Sequence, residues 1–151
     1  FTPPLRYADG QFDMVYSVST FSHLNMDDQV LWLNEMARIT KPGGYCFLTT
    51  EGAFALQWLH EAFGRSLTAL REELSERGWL YKEYPDFEEN RASDDILKIT
   101  SVLRGIERSY GHTVLSTDYI RENWNTPEFE VTDILEGLID LRQDLIVLRR
   151  N

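Results

Sequence analysis

Three histidines, one cysteine and a run of hydroxyls carry most of the chemistry that this 151-residue sequence could perform. His23 stands in the polar segment from Ser19 to Asn25, directly after an apolar stretch. An imidazole with an ordinary pKa near 6.5 suits proton abstraction near neutrality, so His23 is the candidate general base. The competing reading has it packing or capping its own loop. Glu51 follows a second apolar stretch. It either faces a bound substrate or, the reading slightly favoured, caps the helix after it, where the dipole welcomes negative charge. His112, within Tyr110-Gly111-His112, is read as a loop residue, structural in preference to substrate-facing. His60 falls on a helix. Three scattered histidines and a single cysteine lack metal-ligand spacing, which argues against a zinc site. Cys46 lies in an apolar strand and reads as core filler, not as a nucleophile. Packing is the default for Trp32, Trp58, Trp79 and Trp124. Glu35 and Arg38 have the spacing of a helix-surface pair, worth about 0.2–0.5 kcal/mol.

The elements that must position these groups begin at Asp9-Gly10, a turn signal. Phe12 to Val18 is nearly apolar and rich in aromatic and β-branched residues, as a strand buried on both faces would be. Asn25 is a good N-cap, with Asp27 and Asp28 where the dipole favours acids. Val30, Leu33, Met36 and Ala37 then recur at helical spacing to Ile39. Lys41-Pro42-Gly43-Gly44 stops that helix. Tyr45 to Thr50 reads as a second buried strand. Strand, helix, Gly-rich turn and strand make a βαβ unit, with parallel strands and a right-handed crossover. The class is therefore α/β.

Residues 53–78 read as helical, with Gly64 breaking the stretch in two and Gly78 stopping it. Leu56, Leu59, Phe63, Leu67, Leu70 and Leu74 form its apolar stripe. Residues 83–95 are strongly acidic and read as a solvated loop, and 96–109 as a short helix. The whole of 53–115 is expected to be a helical and acidic insertion or cap within one domain spanning 1–151. Ser116 and Thr117 can each cap a helix running to about Trp124. Asn125-Thr126-Pro127 is a turn. Phe129–Leu135 and Gln143–Leu148 lie about eight residues apart, which suits an antiparallel hairpin.

Composition closes several alternatives. A hydrophobic share of 42% implies a folded core, and a net charge of −10 argues against a phosphate-backbone binder. No apolar run approaches the roughly 18–20 residues of a membrane span, so neither nucleic acid nor membrane is an expected partner. A lone cysteine cannot form an internal disulfide, and no secretory leader is visible, so a cytoplasmic location is expected.

The stretch from Pro3 to Gly52 resembles the class I S-adenosylmethionine-dependent methyltransferases. The resemblance rests on Pro3-Pro4-Leu5, Ala8-Asp9-Gly10-Gln11-Phe12-Asp13-Met14-Val15-Tyr16-Ser17, Phe21-Ser22-His23-Leu24, Trp32 to Ile39, and Lys41-Pro42-Gly43-Gly44. Each piece is weak alone; their order within about fifty residues is a strong signal. A less specific likeness, from Tyr110-Gly111-His112 through Gln143-Asp144-Leu145, points to bacterial members linked to sugar or polysaccharide chemistry.

The resemblance implies a partial Rossmann-like sheet. Residues 12–18 and 45–50 would be the parallel fourth and fifth strands of seven; 129–135 and 143–149 would be the sixth and seventh, an antiparallel hairpin. The cofactor would be S-adenosylmethionine and the acceptor a small molecule, with a sugar or polysaccharide precursor one candidate. Ser17 and Ser19 would line the cofactor's methionine or sugar end, ordinary turn hydrogen bonding being the even alternative. The first three strands have no counterpart here. None of the nine glycines falls in G-x-G spacing, so the Gly-rich cofactor loop also has none, nor has the acid that would hold the ribose. The opening Phe1-Thr2-Pro3-Pro4 does not look like a natural start. The expectation is a C-terminal methyltransferase half, inactive alone, whose strand 12–18 would be an open apolar edge. Such an edge invites a homodimer or a separate N-terminal half. The rival reading is a non-catalytic half-domain that pairs through that strand.

Overall fold

A computed structural model describes residues 3–83 and 111–151 of the chain. The acidic stretch and the short helix expected over 84–109 lie outside the described residues. Strand β1 (Phe12–Ser17) leads through a single 3-10 turn (Phe21–His23) into α1 (Met26–Ile39), and β2 runs from Thr40 to Glu51. Helices α2 (Ala55–Phe63) and α3 (Leu67–Arg77) follow, then β3 (Trp79–Glu83) and β4 (Gly111–Leu115). The chain closes with α4 (Thr117–Asn123), β5 (Phe129–Ile139) and β6 (Gln143–Arg150).

Local chemistry sets the boundaries. The Asn25 side chain accepts the Asp28 N–H at 2.8 Å and opens α1. Gly64 and Gly78 end α2 and α3 in the left-handed conformation, which is why the 53–78 stretch breaks where a glycine stands. Ser116 accepts the Tyr119 N–H and opens α4. Helix α1 ends at Ile39 and β2 starts directly at Thr40, so Lys41 to Gly44 stop the helix but lie within the strand.

The described residues form a six-stranded mixed sheet with β2 at its hub. Strand β1 pairs with β2 in parallel through Met14–Ser17 against Tyr45–Leu48. On the opposite edge β6 runs antiparallel to β2, and β5 antiparallel to β6. Strand β4 joins β2 in parallel at its far end, Glu51 opposite Val114, and carries β3 antiparallel outside it. The fourth, fifth, seventh and sixth strands of the expected sheet thus lie side by side as β1, β2, β6 and β5.

The main core joins Leu33, Met36 and Ile39 of α1 to Cys46 and Leu48 of β2, Ile146 and Leu148 of β6, and Phe129 of β5. Cys46 is fully buried and accepts or donates a contact to Thr40 Oγ1 at 3.2 Å, and burial pushes its thiol pKa up. It is core, as its type and setting imply. A second cluster seats Leu56, Leu59, Leu70 and Leu74 of the α2–α3 pair against Leu80 and Val114.

Three expectations require correction. Strand β1 is not buried on both faces: Met14 is 58% and Tyr16 72% exposed, because α1 covers one face only and β2 is its sole neighbour among the described residues. The region 79–83 and 111–115 is strand, not helix or loop, which places His112 on β4; its five residues are all buried, so alternation gave no warning. Glu35 and Arg38 are no surface pair. Glu35 is buried, takes Arg38 on both oxygens at 2.7 and 2.9 Å, and accepts the Leu5 N–H at 2.7 Å. Arg38 in turn reaches Asp9 at 2.6 Å and the Tyr7 carbonyl at 2.8 Å, clamping the segment ahead of β1 onto α1.

Candidate active site

Residues from five parts of the fold converge where β2 ends. Glu51, the last residue of β2, is 1% exposed. One carboxylate oxygen faces His112 Nδ1 of β4 at 3.5 Å, and the other faces Nε of Arg142, in the β5–β6 turn, at 3.6 Å. The Arg142 guanidinium lies over the Trp58 ring of α2, 4.6 Å from its centroid. Trp58 packs against His112 with ring centroids 4.7 Å apart, and His112 meets His23 edge-on at 5.5 Å. Trp58 is therefore a wall of the site as well as packing.

His23 is placed by backbone. Its Nδ1 lies 2.9 Å from the Gly111 carbonyl. A carbonyl only accepts, so Nδ1 carries the proton in this contact. Burial lowers the His23 pKa first of all; the Gly111 carbonyl opposes this, His112 lowers it, Glu51 raises it and Arg142 lowers it. Burial thus favours the neutral imidazole.

Around this cluster the buried polar groups are under-satisfied. Glu51 Oε2, Arg142 Nε, Thr50 Oγ1 and Asp144 Oδ2 are buried and make no hydrogen bond among the described residues. Native interiors rarely leave such atoms unmatched, and here several lie together at one strand end. Asp144 is 1% exposed; its other oxygen accepts the Gly137 N–H at 2.7 Å, and burial raises its pKa to about 6. A Cβ on Gly52 would overlap the Asp144 carboxylate, so only glycine fits where the chain leaves β2.

The two serines occupy different surroundings. Ser17 is half-buried and lines a groove of about 400 Å³ beside β1, with Thr20, Phe21 and Trp32. Ser19 sits in the left-handed region at φ 55°. Its N–H donates to Thr49 Oγ1 at 2.8 Å, and its hydroxyl accepts from Gln143 Nε2 at 2.8 Å. The Ser19 hydroxyl is thus engaged within the turn. Gln143 also accepts Thr49 Oγ1 at 2.7 Å, which ties β1, β2 and β6 together at one end.

Of the residues singled out in the sequence, His23, Glu51 and His112 come together; His60 does not, its Nδ1 lying 2.6 Å from the Arg65 carbonyl. Glu51 does not cap α2: the N-cap position is Phe54, with no side-chain cap. Arg142 and Trp58 escaped sequence reading, because a turn arginine and a helix tryptophan carry no spacing signal. Ligands of open α/β sheets lie at the carboxyl ends of the strands, and the cluster occupies that position.

The parallel β1–α1–β2 unit and the antiparallel β5–β6 pair beside β2 resemble the fold of solved SAM-dependent methyltransferases. Residues 3–48 match the family model described as "Methyltransferase domain". Among solved structures, the chain is similar to a SAM-dependent methyltransferase of Methanosarcina mazei. The identity is 15% and the TM-score 0.56, over 97% of this chain and 63% of that one. It is also similar to the PH0226 protein of Pyrococcus horikoshii, at 14% identity and a TM-score of 0.53, over 98% of this chain and 56% of that one. The chain therefore spans about three fifths of the length of these two structures. No helix among the described residues is long and apolar enough to cross a membrane.

Proposed function

We propose that the protein is an S-adenosylmethionine-dependent methyltransferase acting on a small-molecule hydroxyl, with a sugar or polysaccharide precursor the favoured acceptor. The observation that carries this reading is the meeting of His23, His112, Glu51, Arg142 and Trp58 at the strand ends, with His23 Nδ1 held on the Gly111 carbonyl at 2.9 Å. When bound, S-adenosylmethionine supplies an electrophilic methyl group. His23 would serve as the base for the acceptor proton, while the donor, when bound, would supply its methyl through breaking of its sulfur–methyl bond and leave as the neutral thioether. Glu51, Arg142 and Trp58 wall the acceptor side, and burial there keeps His23 neutral. Ser17, which lines the groove beside β1, would face the donor; Ser19 shapes the turn behind it. By itself the 151-residue chain would hold the donor weakly, since it carries no G-x-G loop. The net charge of −10 favours a small-molecule acceptor over nucleic acid.

The test is transfer by the whole protein from S-adenosylmethionine to a panel of nucleotide sugars, read by mass spectrometry as one added methyl group. His23→Gln should lower turnover by about 10²- to 10⁴-fold and leave donor affinity unchanged. Methylation at the wild-type rate by this variant would remove His23 from the reaction, and no transfer to any acceptor would remove the function.

A second reading is favoured by β1 itself, which pairs on one edge only among the described residues and exposes Met14, Tyr16 and Val18. The chain would then be a half-domain that completes its sheet with a second copy or a separate strand-bearing partner. Sedimentation of the 151-residue chain should give a concentration-dependent dimer, or a stable pair with the partner. A monomer at all concentrations, with no pairing, would end this reading.

A further inference from the structure

We propose that Gln29 and Thr113 are positioning residues, two buried side-chain donors that clamp the Phe21–His23 turn from α1 and from β4 and so set where the backbone that carries His23 stands. The catalytic consequence rests on the methyl-transfer reading; the clamp itself rests on the contacts of the turn.

Gln29 breaks a local rule. Val30 has the spacing of the buried stripe of α1, yet Val30 is 58% and its neighbour Leu31 51% exposed, while Gln29 is 1% exposed. The buried face of the helix therefore begins with an amide, one turn before Leu33, and continues through Met36 and Ala37. An amide buried there is costly unless its hydrogen bonds are made. Nε2 of Gln29 donates to the Phe21 carbonyl at 3.0 Å and to the Leu24 carbonyl at 3.2 Å, spanning the turn from end to end. Its Oε1 is buried and makes no hydrogen bond among the described residues. An apolar side chain would carry no such unmatched acceptor, so stability alone does not account for glutamine at this position. Polar residues that break the pattern of a core gather where function constrains the chain.

From the far side, β4 supplies Thr113, which is fully buried and donates its Oγ1 to the same Leu24 carbonyl. Two residues earlier on that strand, the Gly111 carbonyl meets the His23 ring. Inside the turn the His23 N–H reaches the Thr20 carbonyl at 3.0 Å and the Leu24 N–H the Phe21 carbonyl at 3.4 Å. Such short 3-10 contacts have poor geometry and hold a single turn weakly. The two side-chain donors therefore fix the turn between a helix and a strand, meeting on one oxygen. Misplacing a reacting group by about 1 Å can cost about 10²-fold in rate, so position is worth securing even where folding gains little.

Three variants test the clamp. Gln29→Met keeps the bulk of the side chain and removes its donor, Thr113→Val removes the hydroxyl, and Thr113→Ser retains it. The Leu24 carbonyl keeps one side-chain donor in each, and the Phe21 carbonyl keeps the Leu24 N–H, so no buried carbonyl is orphaned. Residue-resolved amide exchange, followed by NMR on the whole protein without methyl donor or acceptor, reads the hold on the turn. The His23 and Leu24 amides should exchange about tenfold faster in Gln29→Met and about fivefold faster in Thr113→Val, and at the wild-type rate in Thr113→Ser. The Leu48 and Ile146 amides of the central strands should keep their wild-type rates throughout. The donors sit on different elements, so one variant decides the matter if the other fails to fold. Turn amides as slow as wild type in both Gln29→Met and Thr113→Val, or faster only in step with Leu48 and Ile146, would overturn the proposal. With nucleotide-sugar acceptors, kcat should fall about 10- to 100-fold in the same two variants, with KM for S-adenosylmethionine unchanged, and recover in Thr113→Ser. A loosened turn with full turnover would overturn the positioning role. No transfer by wild type would instead remove the methyl-transfer reading, while the exchange rates still decide whether Gln29 and Thr113 hold the turn.

Discussion

Two buried glutamates, sixteen residues apart in the chain, are treated in opposite ways. Glu35 has every strong partner it could want: Arg38 on both oxygens, the Leu5 N–H, and beyond Arg38 a chain of contacts to Asp9 and Tyr7. Its pKa is held low, first by the Arg38 hydrogen bonds. Glu51 is as deep, and its neighbours are cationic or can become so, but none closes on it. The first arrangement fixes a segment of chain. The second leaves a carboxylate without closed hydrogen bonds at the carboxyl end of a strand. The two carboxylates share their burial and differ in whether their contacts close.

Asp144, beside Glu51, carries the same comparison furthest and gives the largest expected effect. Burial raises its pKa from near 3.8 to about 6. Between those values the folded protein keeps a proton that the unfolded chain has released. Stability must therefore fall as pH rises through that window, and the loss is complete above about pH 6. The span corresponds to at most about 3 kcal/mol. In Asp144→Asn that segment of the stability curve should vanish, so that the difference between variant and wild type changes across pH 4–6 and is flat above. Urea unfolding at a series of pH values measures it. Parallel curves would mean that Asp144 is solvated in the folded protein, and the contrast with the Glu35 end would lose its strongest member.

Much of this contrast was invisible in the sequence, for physical reasons. The βαβ unit was legible because each of its signals is local: the apolar run 12–18, the Asn25 cap, the period to Ile39 and the stop before Tyr45. The hairpin was legible from two close apolar runs. Strands β3 and β4 were not, since their pairing spans a long stretch of chain and β4 is buried without alternation. His23 and Glu51 could be picked because each follows an apolar run and so falls at a strand end. Their convergence with His112 depends on the Glu51–Val114 pairing, a single long-range bridge that no spacing rule predicts. Glu35 and Arg38 misled in the other direction. The three-residue spacing announced a pair, but only the folding of Leu5 to Asp9 over α1 makes it a buried clamp.

A matched pair of substitutions tests the comparison directly, with a smaller effect. Glutamine keeps the shape of glutamate and removes its charge. At position 35 the new amide must turn a donor toward Arg38 or the Leu5 N–H, so a charge-assisted bond is replaced by two donors face to face. Glu35→Gln should lose about 1.5–3 kcal/mol of unfolding free energy. At position 51 no hydrogen bond is surrendered, and a buried charge disappears, which offsets the weakened attraction to Arg142 and His112. Glu51→Gln should stay within about 1 kcal/mol of wild type, or gain stability. Denaturant melts of both variants at pH 7.5, above the Asp144 window, decide the matter. Equal losses at the two positions would show that the long contacts of Glu51 close in solution, and that the two carboxylates are structural alike.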